Sequence, residues 1–217
     1  AAAAGSMLVI TPGASLTLSG NITIDKALTV VAYGATLNFT TNANNQGVLI
    51  TASNVAWYGG TITGPQKTVV DNTQRAIWAN GTSGAHISNV KIIDTVSSNF
   101  NSGPYGIYCD NLEIRGNTTT DHRYSGIGIE GCADFLVDGN TIKRIWTGAA
   151  PNDNAYGINV SPKSTTVSKR GRIVNNSVED VRSWEGIDCH GGESVTIANN
   201  TLLNCNLGIA ATDDQVN

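Results

Sequence analysis

Charge, aromatic side chains and long apolar runs are all scarce in this sequence of 217 residues. Only 14% of the residues are Asp, Glu, Lys or Arg and the formal net charge is −4, which argues against a general nucleic-acid binder. No apolar run approaches the length of a membrane-spanning helix, so membrane insertion is not expected. The four cysteines show no CxxC spacing. They therefore predict buried small residues rather than a disulfide framework or a zinc site.

What is abundant is glycine, with 24 residues, together with Val, Ile, Thr and Asn. Such a composition favours many short strands joined by tight turns. Residues 1–7 are interpreted as a tag or cloning remnant and left out of the fold prediction. Residues 8–217 are expected to form one domain. Because no amphipathic capping segment follows the last repeat, this domain is expected to be a fragment of a longer chain.

A small residue followed by Ile or Val recurs down the chain and gives the sequence a period. The pairs are Gly47-Val48, Ala76-Ile77, Gly106-Ile107, Gly126-Ile127, Gly157-Ile158, Gly186-Ile187 and Gly208-Ile209. By subtraction, successive pairs lie 20 to 31 residues apart. A repeat of this length predicts a solenoid, in which equivalent positions stack ~4.8 Å apart.

Within a repeat, apolar and polar residues alternate over short segments, as in strands. Asn recurs at one corner, as Asn140, Asn176 and Asn200, where its amide is expected to bond to the coils above and below. These features resemble the pectin-lyase-like superfamily. The resemblance implies an all-β fold, a single-stranded right-handed parallel β-helix, and it covers nearly the whole chain after Met7. Lyases, hydrolases, epimerases and phage tailspikes share this fold, so it does not select a function.

If the Ile or Val of each pair points inward, two outward columns follow. The first reads Leu49, Trp78, Tyr108, Gly128, Asn159, Asp188 and Ala210, and the second reads Thr51, Asn80, Asp110, Glu130, Ser161, His190 and Thr212. Asp110 and Glu130 are predicted on adjacent coils, close enough for one pKa to rise. Asp188 and His190 leave one strand on the same face. Trp78 and Tyr108 offer flat surfaces for sugar rings.

The run Glu185-Gly186-Ile187-Asp188-Cys189-His190 is similar to the Tyr-Gly-Phe-Asp-Pro-His motif of mannuronan C-5 epimerases. The resemblance implies that His190 is the catalytic histidine and that Asp188 contributes to neutralising the substrate carboxylate. Glu185 stands where that family has its catalytic Tyr, and Cys189 replaces Pro. Tyr156 occupies the equivalent place one coil earlier, from which a phenol could still reach the site.

Three hypotheses follow. The first is a polysaccharide lyase or C-5 epimerase acting on a uronic-acid polysaccharide, with His190 as base, Tyr156 as donor and Arg123, Arg144 or Arg182 pairing with the carboxylate. The second is a tailspike-type glycoside hydrolase that uses two of the carboxylates Asp110, Glu130, Glu185 and Asp188. The third is a non-catalytic glycan-binding β-helix.

The expected partner in each case is a polysaccharide, and the expected location is extracellular or on a virion surface. Asn159, His122 and Arg123 complete the predicted substrate-binding set, the last two from the turn before Gly126. A tailspike would be expected to form a homotrimer. No cofactor is predicted. Calcium is common in the lyase relatives and stays an open alternative, but no cluster of Asp residues makes an oxygen cage.

Overall fold

A computed structural model describes residues 2–40, 47–65, 74–146 and 154–212. These residues form 24 strands in three parallel sheets of eight strands each. Every coil contributes one strand to each sheet, and each strand pairs with the strand three further along the chain. The predicted all-β parallel β-helix is therefore confirmed.

Sheet 1 consists of β1 (Ser6–Val9), β4 (Leu28–Val31), β7 (Val55–Tyr58), β10 (Ile87–Ile93), β13 (Cys109–Arg115), β16 (Leu136–Asp138), β19 (Arg172–Val174) and β22 (Thr196–Ala198). Sheet 2 consists of β2 (Ser15–Leu18), β5 (Thr36–Phe39), β8 (Thr61–Thr63), β11 (Val96–Ser98), β14 (Thr118–Thr120), β17 (Thr141–Ile145), β20 (Ser177–Val181) and β23 (Thr201–Leu203). Sheet 3 consists of β3 (Ile22–Ile24), β6 (Val48–Ile50), β9 (Arg75–Asn80), β12 (Ser102–Ile107), β15 (Ser125–Glu130), β18 (Tyr156–Ser161), β21 (Glu185–His190) and β24 (Leu207–Thr212).

Strand β1 begins at Ser6, so the folded part starts two residues before the predicted boundary at residue 8. Ser6 and Met7 pair with Leu28 and Thr29 of β4. In the part of the chain that the structure describes, there is no helix of sufficient length and apolarity to span a membrane.

The core fills the inside of the coil with aliphatic side chains stacked from one rung to the next. In sheet 3, Ile127 pairs with Ile158 and Ile158 with Ile187, and all three are completely buried. Each such side chain contributes roughly 1.5–3 kcal/mol of hydrophobic stabilisation. The period-two alternation of the sequence therefore places the next residue of each strand on the outer face.

The recurring small residue has a steric cause. A Cβ on Gly103 would collide with the carbonyl oxygen of Gly126, and a Cβ on Gly126 would lie 2.6 Å from the carbonyl oxygen of Gly157. Stacked coils approach too closely at this column for a larger side chain. The small residue thus recurs in the sequence because the backbones of successive coils are in contact at this position.

Four asparagines form a ladder between sheets 1 and 2, in which Asn117, Asn140 and Asn176 are buried and Asn200 is half-buried. The backbone N–H of Asn117 donates to Oδ1 of Asn140, that of Asn140 to Asn176 and that of Asn176 to Asn200, each at 2.9 Å. The predicted bonding of Asn140, Asn176 and Asn200 between coils is confirmed, and Asn117 extends it. The left-handed backbone falls on the preceding residue, which is Gly139 (φ 63°), Asn175 (φ 57°) or Asn199 (φ 56°).

Candidate active site

Sheet 3 carries the two predicted outward columns, and the strand register confirms them on four of the five central coils. Asn159 pairs with Gly128 and with Asp188, while Ser161 pairs with Glu130. His190 follows in the same column and pairs with Thr212. The predicted surface of Glu130, Asn159, Asp188 and His190 therefore lies on one face.

The prediction is wrong at strand β12. Trp78 pairs with Tyr105 rather than aligning with Tyr108, and Glu130 pairs with Ile107. The cause is the position of the close-contact glycine, which is Gly103 and not Gly106. Gly106 pairs with Ala79 in the inward column, where a Cβ would collide with Leu112. On this coil, the residues that occupy the outward columns therefore lie three positions earlier in the sequence than predicted.

Asp110 consequently lies in β13 of sheet 1, on a different wall of the coil. It pairs with Ser88, and its Oδ1 is 3.1 Å from Nδ1 of His86. The predicted pair of Asp110 and Glu130 does not form. The side chain of Asp110 is 44% exposed and belongs to a surface contact.

Two clefts lie along sheet 3. The lower cleft has a volume of about 280 Å³ and is lined by Tyr124, Tyr156, Asn159, Ser161, Asp188 and His190. The upper cleft has a volume of about 500 Å³ and is lined by Arg75, Trp78, Asn80, Tyr105, Ile107, Tyr108, Tyr124, Glu130 and Lys163. Tyr124 lines both, so the two clefts adjoin.

In the lower cleft, His190 and Asp188 form a hydrogen-bonded pair. Nδ1 of His190 is 2.6 Å from a carboxylate oxygen of Asp188. Asp188 is 2% exposed, whereas the His190 side chain is 31% exposed. Because the buried carboxylate accepts a hydrogen from Nδ1, Nε2 of the neutral imidazole is left as an acceptor. The pair is built as a base oriented by a carboxylate.

Two tyrosines also line the lower cleft. The rings of Tyr124 and Tyr156 contact edge to face, with centroids 5.4 Å apart. Nδ2 of Asn154 donates to the Tyr156 hydroxyl at 2.8 Å. Burial raises the pKa of Tyr156 strongly, and burial together with the charge of Glu130 raises the pKa of Tyr124 to about 12. Both phenols are therefore protonated donors near neutral pH.

Asn159 and Glu185 add buried polar atoms beside this pair. Asn159 is 3% exposed, and its Oδ1 has no hydrogen-bond partner among the described residues. Within the same part of the chain, Oε2 of Glu185 also has none. Burial, and next the charge of Asp188, raise the pKa of the Glu185 carboxyl. Buried polar atoms without partners cost stability and are expected where a ligand supplies the partner.

In the upper cleft, both oxygens of Glu130 have close neighbours. The Tyr105 hydroxyl donates to Oε1 at 2.6 Å, and Nζ of Lys163 lies 2.7 Å from Oε2. The guanidinium of Arg75 stacks between the rings of Trp78 and Tyr105, at 4.4 and 4.2 Å from their centroids. The Nε1 atom of Trp78 has no hydrogen-bond partner among the described residues.

Tyr108 reaches the upper cleft from outside the predicted column. It follows β12 with a positive φ of 50°, and its hydroxyl donates to the carbonyl oxygen of Lys163 at 3.2 Å. The sequence did not single out Arg75, Tyr105, Tyr124 or Lys163 as site residues. Tyr124 directly follows the predicted His122 and Arg123, which was the available signal for it.

His122 and Arg123 were predicted to bind substrate from the turn before Gly126, but both are buried and neither lines the upper or the lower cleft. His122 is fully buried, where Nδ1 accepts the N–H of Phe100 at 3.3 Å and Nε2 lies 3.1 Å from Oγ of Ser97. Arg123 is 3% exposed and donates to Oδ1 of Asn101 at 3.2 Å. The turn folds into the coil because its side chains complete buried hydrogen bonds to the coil before it.

Arg144 and Arg182 lie at the corner that follows sheet 2 and line neither cleft. Arg144 makes a bidentate contact with Asp121, and Arg182 contacts Asp180 at 3.3 Å. Their predicted role opposite a substrate carboxylate in the groove is not supported by this placement. No group of three or more His, Cys, Asp or Glu side chains arranged to hold a metal occurs in the described ranges.

Comparisons with known proteins agree with this architecture. A family model described as a right handed beta helix region matches residues 68–217. The A-module of the Azotobacter vinelandii mannuronan C-5 epimerase AlgE4 superposes with a TM-score of 0.61 at 13% identity, over 92% of this chain and 61% of that module. An enzymatically active domain of bacteriophage CBA120 tailspike protein 2 gives 0.53 at 12% identity, over 92% of this chain and 38% of that domain.

At these identities the solved structures are evidence for the fold alone, and the chain spans less than two thirds of either. The family model, in contrast, covers more than half of the chain. With the three parallel sheets and the ladder of coils, it identifies the protein as a member of the family of right-handed parallel β-helices of the pectin-lyase-like type.

Proposed function

We propose that the protein is a polysaccharide lyase or C-5 epimerase that abstracts a proton from a uronic-acid residue bound in the lower cleft. The observation that carries this proposal is the His190–Asp188 pair, with a 2.6 Å contact, which lines a cleft of about 280 Å³ together with two protonated tyrosines. A base on one side of a sugar ring and a proton donor on the other are what both reactions require.

His190 is the proposed base. Asp188 holds Nδ1–H, so the lone pair of Nε2 takes the proton on C5 of the uronate and the imidazolium formed is stabilised by the buried carboxylate. The electron pair of the broken C–H bond moves toward the carboxylate of the sugar. This orientation by Asp188 also explains why a carboxylate stands two residues before the histidine on the same face.

Tyr156 is the proposed proton donor. Its hydroxyl accepts a hydrogen bond from Asn154, which leaves its own O–H to be donated into the cleft. In the lyase reaction it protonates the departing glycosidic oxygen as the C4–O4 bond breaks and a C4–C5 double bond forms. In the epimerase reaction it protonates C5 from the opposite side, and no bond between sugars is broken.

The developing negative charge on the substrate carboxylate needs donors. None of the described residues lining the lower cleft is an arginine or a lysine. Tyr124 is proposed to donate to the carboxylate instead, because its phenol remains protonated. The unpartnered Oδ1 of Asn159 is proposed to accept a hydrogen bond from a sugar hydroxyl. The upper cleft is proposed to bind the adjoining sugar units through Trp78, Tyr108 and Lys163.

A tailspike-type hydrolase is the second candidate, favoured by one observation. Glu185 and Asp188 belong to the same strand, and the charge of Asp188 contributes to the raised pKa of Glu185. Glycoside hydrolysis uses one carboxyl with a raised pKa as the acid and a second, ionised carboxylate. For either enzyme, and for a non-catalytic glycan binder, the proposed partner is a polysaccharide and the proposed location is extracellular or on a virion surface.

The test is mass spectrometry of products after incubation with alginate, polygalacturonate and acidic capsular polysaccharides in D2O. A lyase yields oligosaccharides lighter by one water than hydrolysis products and absorbing in the ultraviolet. An epimerase yields chains of unchanged length that gain deuterium at C5. Saturated products with new reducing ends would replace the proposal with the hydrolase, and binding without any turnover would replace it with the non-catalytic β-helix.

A matched pair of variants assigns the activity to the lower cleft. His190→Gln should abolish turnover, whereas His86→Gln should retain it, because His86 lies on the other wall beside Asp110. Equal loss in the two variants, with folding intact by circular dichroism, would contradict the assignment of His190.

A further inference from the structure

The two adjoining clefts of sheet 3 differ in the charge of the side chains that line them. The lower cleft contains the Asp188 carboxylate and, among its described lining residues, no lysine or arginine. The upper cleft contains two cationic side chains, Arg75 and Lys163, against the single carboxylate of Glu130. An acidic glycan is therefore attracted by the upper cleft and repelled by the carboxylate of the lower one.

Lys163 is the cationic group of the upper cleft that a ligand can reach. Its side chain is 43% exposed, whereas Arg75 is buried and stacked between the rings of Trp78 and Tyr105. The 2.7 Å approach of Nζ to Oε2 of Glu130 holds the ammonium group beside the cleft. Because an ammonium group has three N–H donors, this contact leaves donors for an anionic ligand.

The backbone that carries Lys163 is fixed by hydrogen bonds. The N–H groups of Lys163 and Thr166 each donate to the carbonyl oxygen of the other residue, at 2.9 and 3.0 Å, around a tight turn in which Ser164 has a φ of 54°. The Tyr108 hydroxyl donates to the carbonyl oxygen of Lys163 at 3.2 Å. The lysine therefore projects from a turn that is tied to the wall of the cleft, which lowers the entropic cost of binding a ligand there.

Hydrogen bonding in the upper cleft points to the same kind of ligand. Nε1 of Trp78 is buried and has no hydrogen-bond partner among the described residues, and it can only donate. Both oxygens of Glu130 are already contacted, Oε1 by the Tyr105 hydroxyl and Oε2 by Lys163. The cleft thus offers a ligand positive charge together with N–H donors, a combination that favours a carboxylate over a neutral hydroxyl.

We propose that the upper cleft selects a second acidic sugar, whose carboxylate binds the Lys163 ammonium group and the Trp78 N–H. This sugar is a uronate adjacent to the one that reacts in the lower cleft, so the inference deepens the proposed function and rests on it for the position of the reacting unit. The second carboxylate supplies the attraction that the lower cleft lacks. Binding energy from a part of the substrate that does not react thereby holds the reacting uronate beside His190. The substrate is accordingly a chain with consecutive uronate residues.

Equilibrium binding by the full chain tests this proposal, measured by calorimetry in a His190→Gln background that removes turnover. The probes are oligomannuronates and oligogalacturonates long enough to span both clefts, together with their carboxyl-reduced, neutral counterparts. At low salt, at least one acidic oligomer should bind roughly tenfold more tightly than its neutral counterpart. High salt should remove most of this difference, because it arises from charge.

Variants of two lysines assign the difference to the upper cleft. Lys163→Gln should lower the affinity for the acidic oligomer by roughly tenfold and leave that for the neutral one within about twofold. Lys163→Arg keeps the charge and should retain most of the affinity. Lys143→Gln is the matched control, because Lys143 is 40% exposed and also pairs with a glutamate, at 2.8 Å, but lies on sheet 2. It should leave both affinities unchanged.

The proposal is overturned if no acidic oligomer binds, if the neutral counterparts bind as tightly as the acidic ones, or if Lys163→Gln leaves acidic binding unchanged. It is also overturned if Lys163→Gln weakens acidic and neutral binding alike, or if Lys143→Gln has the same effect as Lys163→Gln. Product analysis of the wild-type protein is a separate measurement. Turnover without an effect of Lys163 would reject only the acidic subsite, whereas selective acidic binding without turnover would reject only the proposed reaction.

Discussion

The upper and lower clefts lie on the same sheet, and each contains a carboxylate from the outward columns, yet the two carboxylates are treated differently. In the upper cleft, Tyr105 and Lys163 occupy both oxygens of Glu130. In the lower cleft, Asp188 is paired with a histidine that is open to solvent on its other side. Beside them lies Asn159, whose Oδ1 has no hydrogen-bond partner among the described residues.

This difference supports the proposed division of the groove into a binding surface and a reactive one. The charge of a carboxylate that is bonded to a phenol and an ammonium group is already compensated. Such a carboxylate is poorly placed to exchange a proton with a substrate. A carboxylate that orients an imidazole leaves Nε2 available to take a proton from a substrate. In the upper cleft, the indole N–H of Trp78 has no hydrogen-bond partner among the described residues, and it can only donate.

The largest expected effect comes from removing the base of the lower cleft. His190→Gln should lower kcat on the active polysaccharide by roughly 10³-fold, because general base catalysis contributes about 10²–10⁴-fold. Steady-state kinetics measures this. Asp188→Asn should also reduce kcat, since an amide cannot stabilise the imidazolium. If Asp188→Asn kept full kcat, the pair would not act as a unit.

The buried histidine His122, which precedes β15 of sheet 3, makes the stability of the protein depend on pH. Burial lowers the pKa of His122 from 6.5 to about 4. A group whose pKa is lower in the folded state contributes stability that is fully present above pH 6.5 and is lost as the pH falls toward 4. The loss amounts to about 3 kcal/mol of the free energy of unfolding.

In His122→Gln, the free energy of unfolding should fall less steeply as the pH is lowered over the same range, even if its value near neutral pH is lower than in the wild type. Urea unfolding at a series of pH values measures the slope. Parallel slopes for His122→Gln and wild type would contradict the burial argument.

A smaller effect is expected from the carboxylate of the upper cleft. Glu130→Gln should raise KM by roughly tenfold, about 1.4 kcal/mol, and leave kcat within a few fold, because Glu130 positions Tyr105 and Lys163 for binding. Kinetics with long and short oligosaccharides measures it. A fall in kcat as large as that of His190→Gln would erase the distinction between the clefts and favour a carboxylate mechanism.

The smallest effect is expected at Asp110. Asp110→Asn should change kcat/KM by less than about twofold, because Asp110 faces His86 on sheet 1 and surface pairs contribute little. The same assay detects a change. If Asp110→Asn changed kcat/KM as much as Glu130→Gln, Asp110 would have to lie beside Glu130, which would contradict the register described for β12.

Much of the groove could be predicted from the sequence because its physical origin is local. Period-two alternation fixes which side of a strand faces out, and the close contact between coils fixes where a small residue must stand. Both constraints are visible around Gly126, Gly157 and Gly186. They placed Glu130, Asn159, Asp188 and His190 correctly on one face of sheet 3.

The error at β12 arose because the segment contains two glycines, Gly103 and Gly106, each followed two residues later by a residue that fits the column, Tyr105 or Tyr108. Which glycine meets the neighbouring coil depends on the path of the chain before it, and alternation does not reveal that path. By subtraction, Gly103 makes the spacings from Ala76 and to Gly126 more even, at 27 and 23 residues. This evenness was the usable signal.

The burial of His122 could not be read from the sequence, since a turn of polar residues appears solvated unless its partners are known. Ser97 and Phe100, which receive the imidazole, lie more than twenty residues earlier in the chain. Arg75 was missed for a similar reason. Its role in the groove depends on two aromatic rings from different coils, and one of them, Tyr105, was in neither predicted column.

The asparagine ladder has a consequence for how such a groove can change. Because each buried amide is hydrogen-bonded to the next, sliding one turn of the spiral past its neighbour by a single residue would break several bonds at once. Outward side chains can therefore be exchanged, turn by turn, without loss of vertical alignment. Each outward residue of the groove can thus be substituted separately, while the spacing between the remaining ones is preserved.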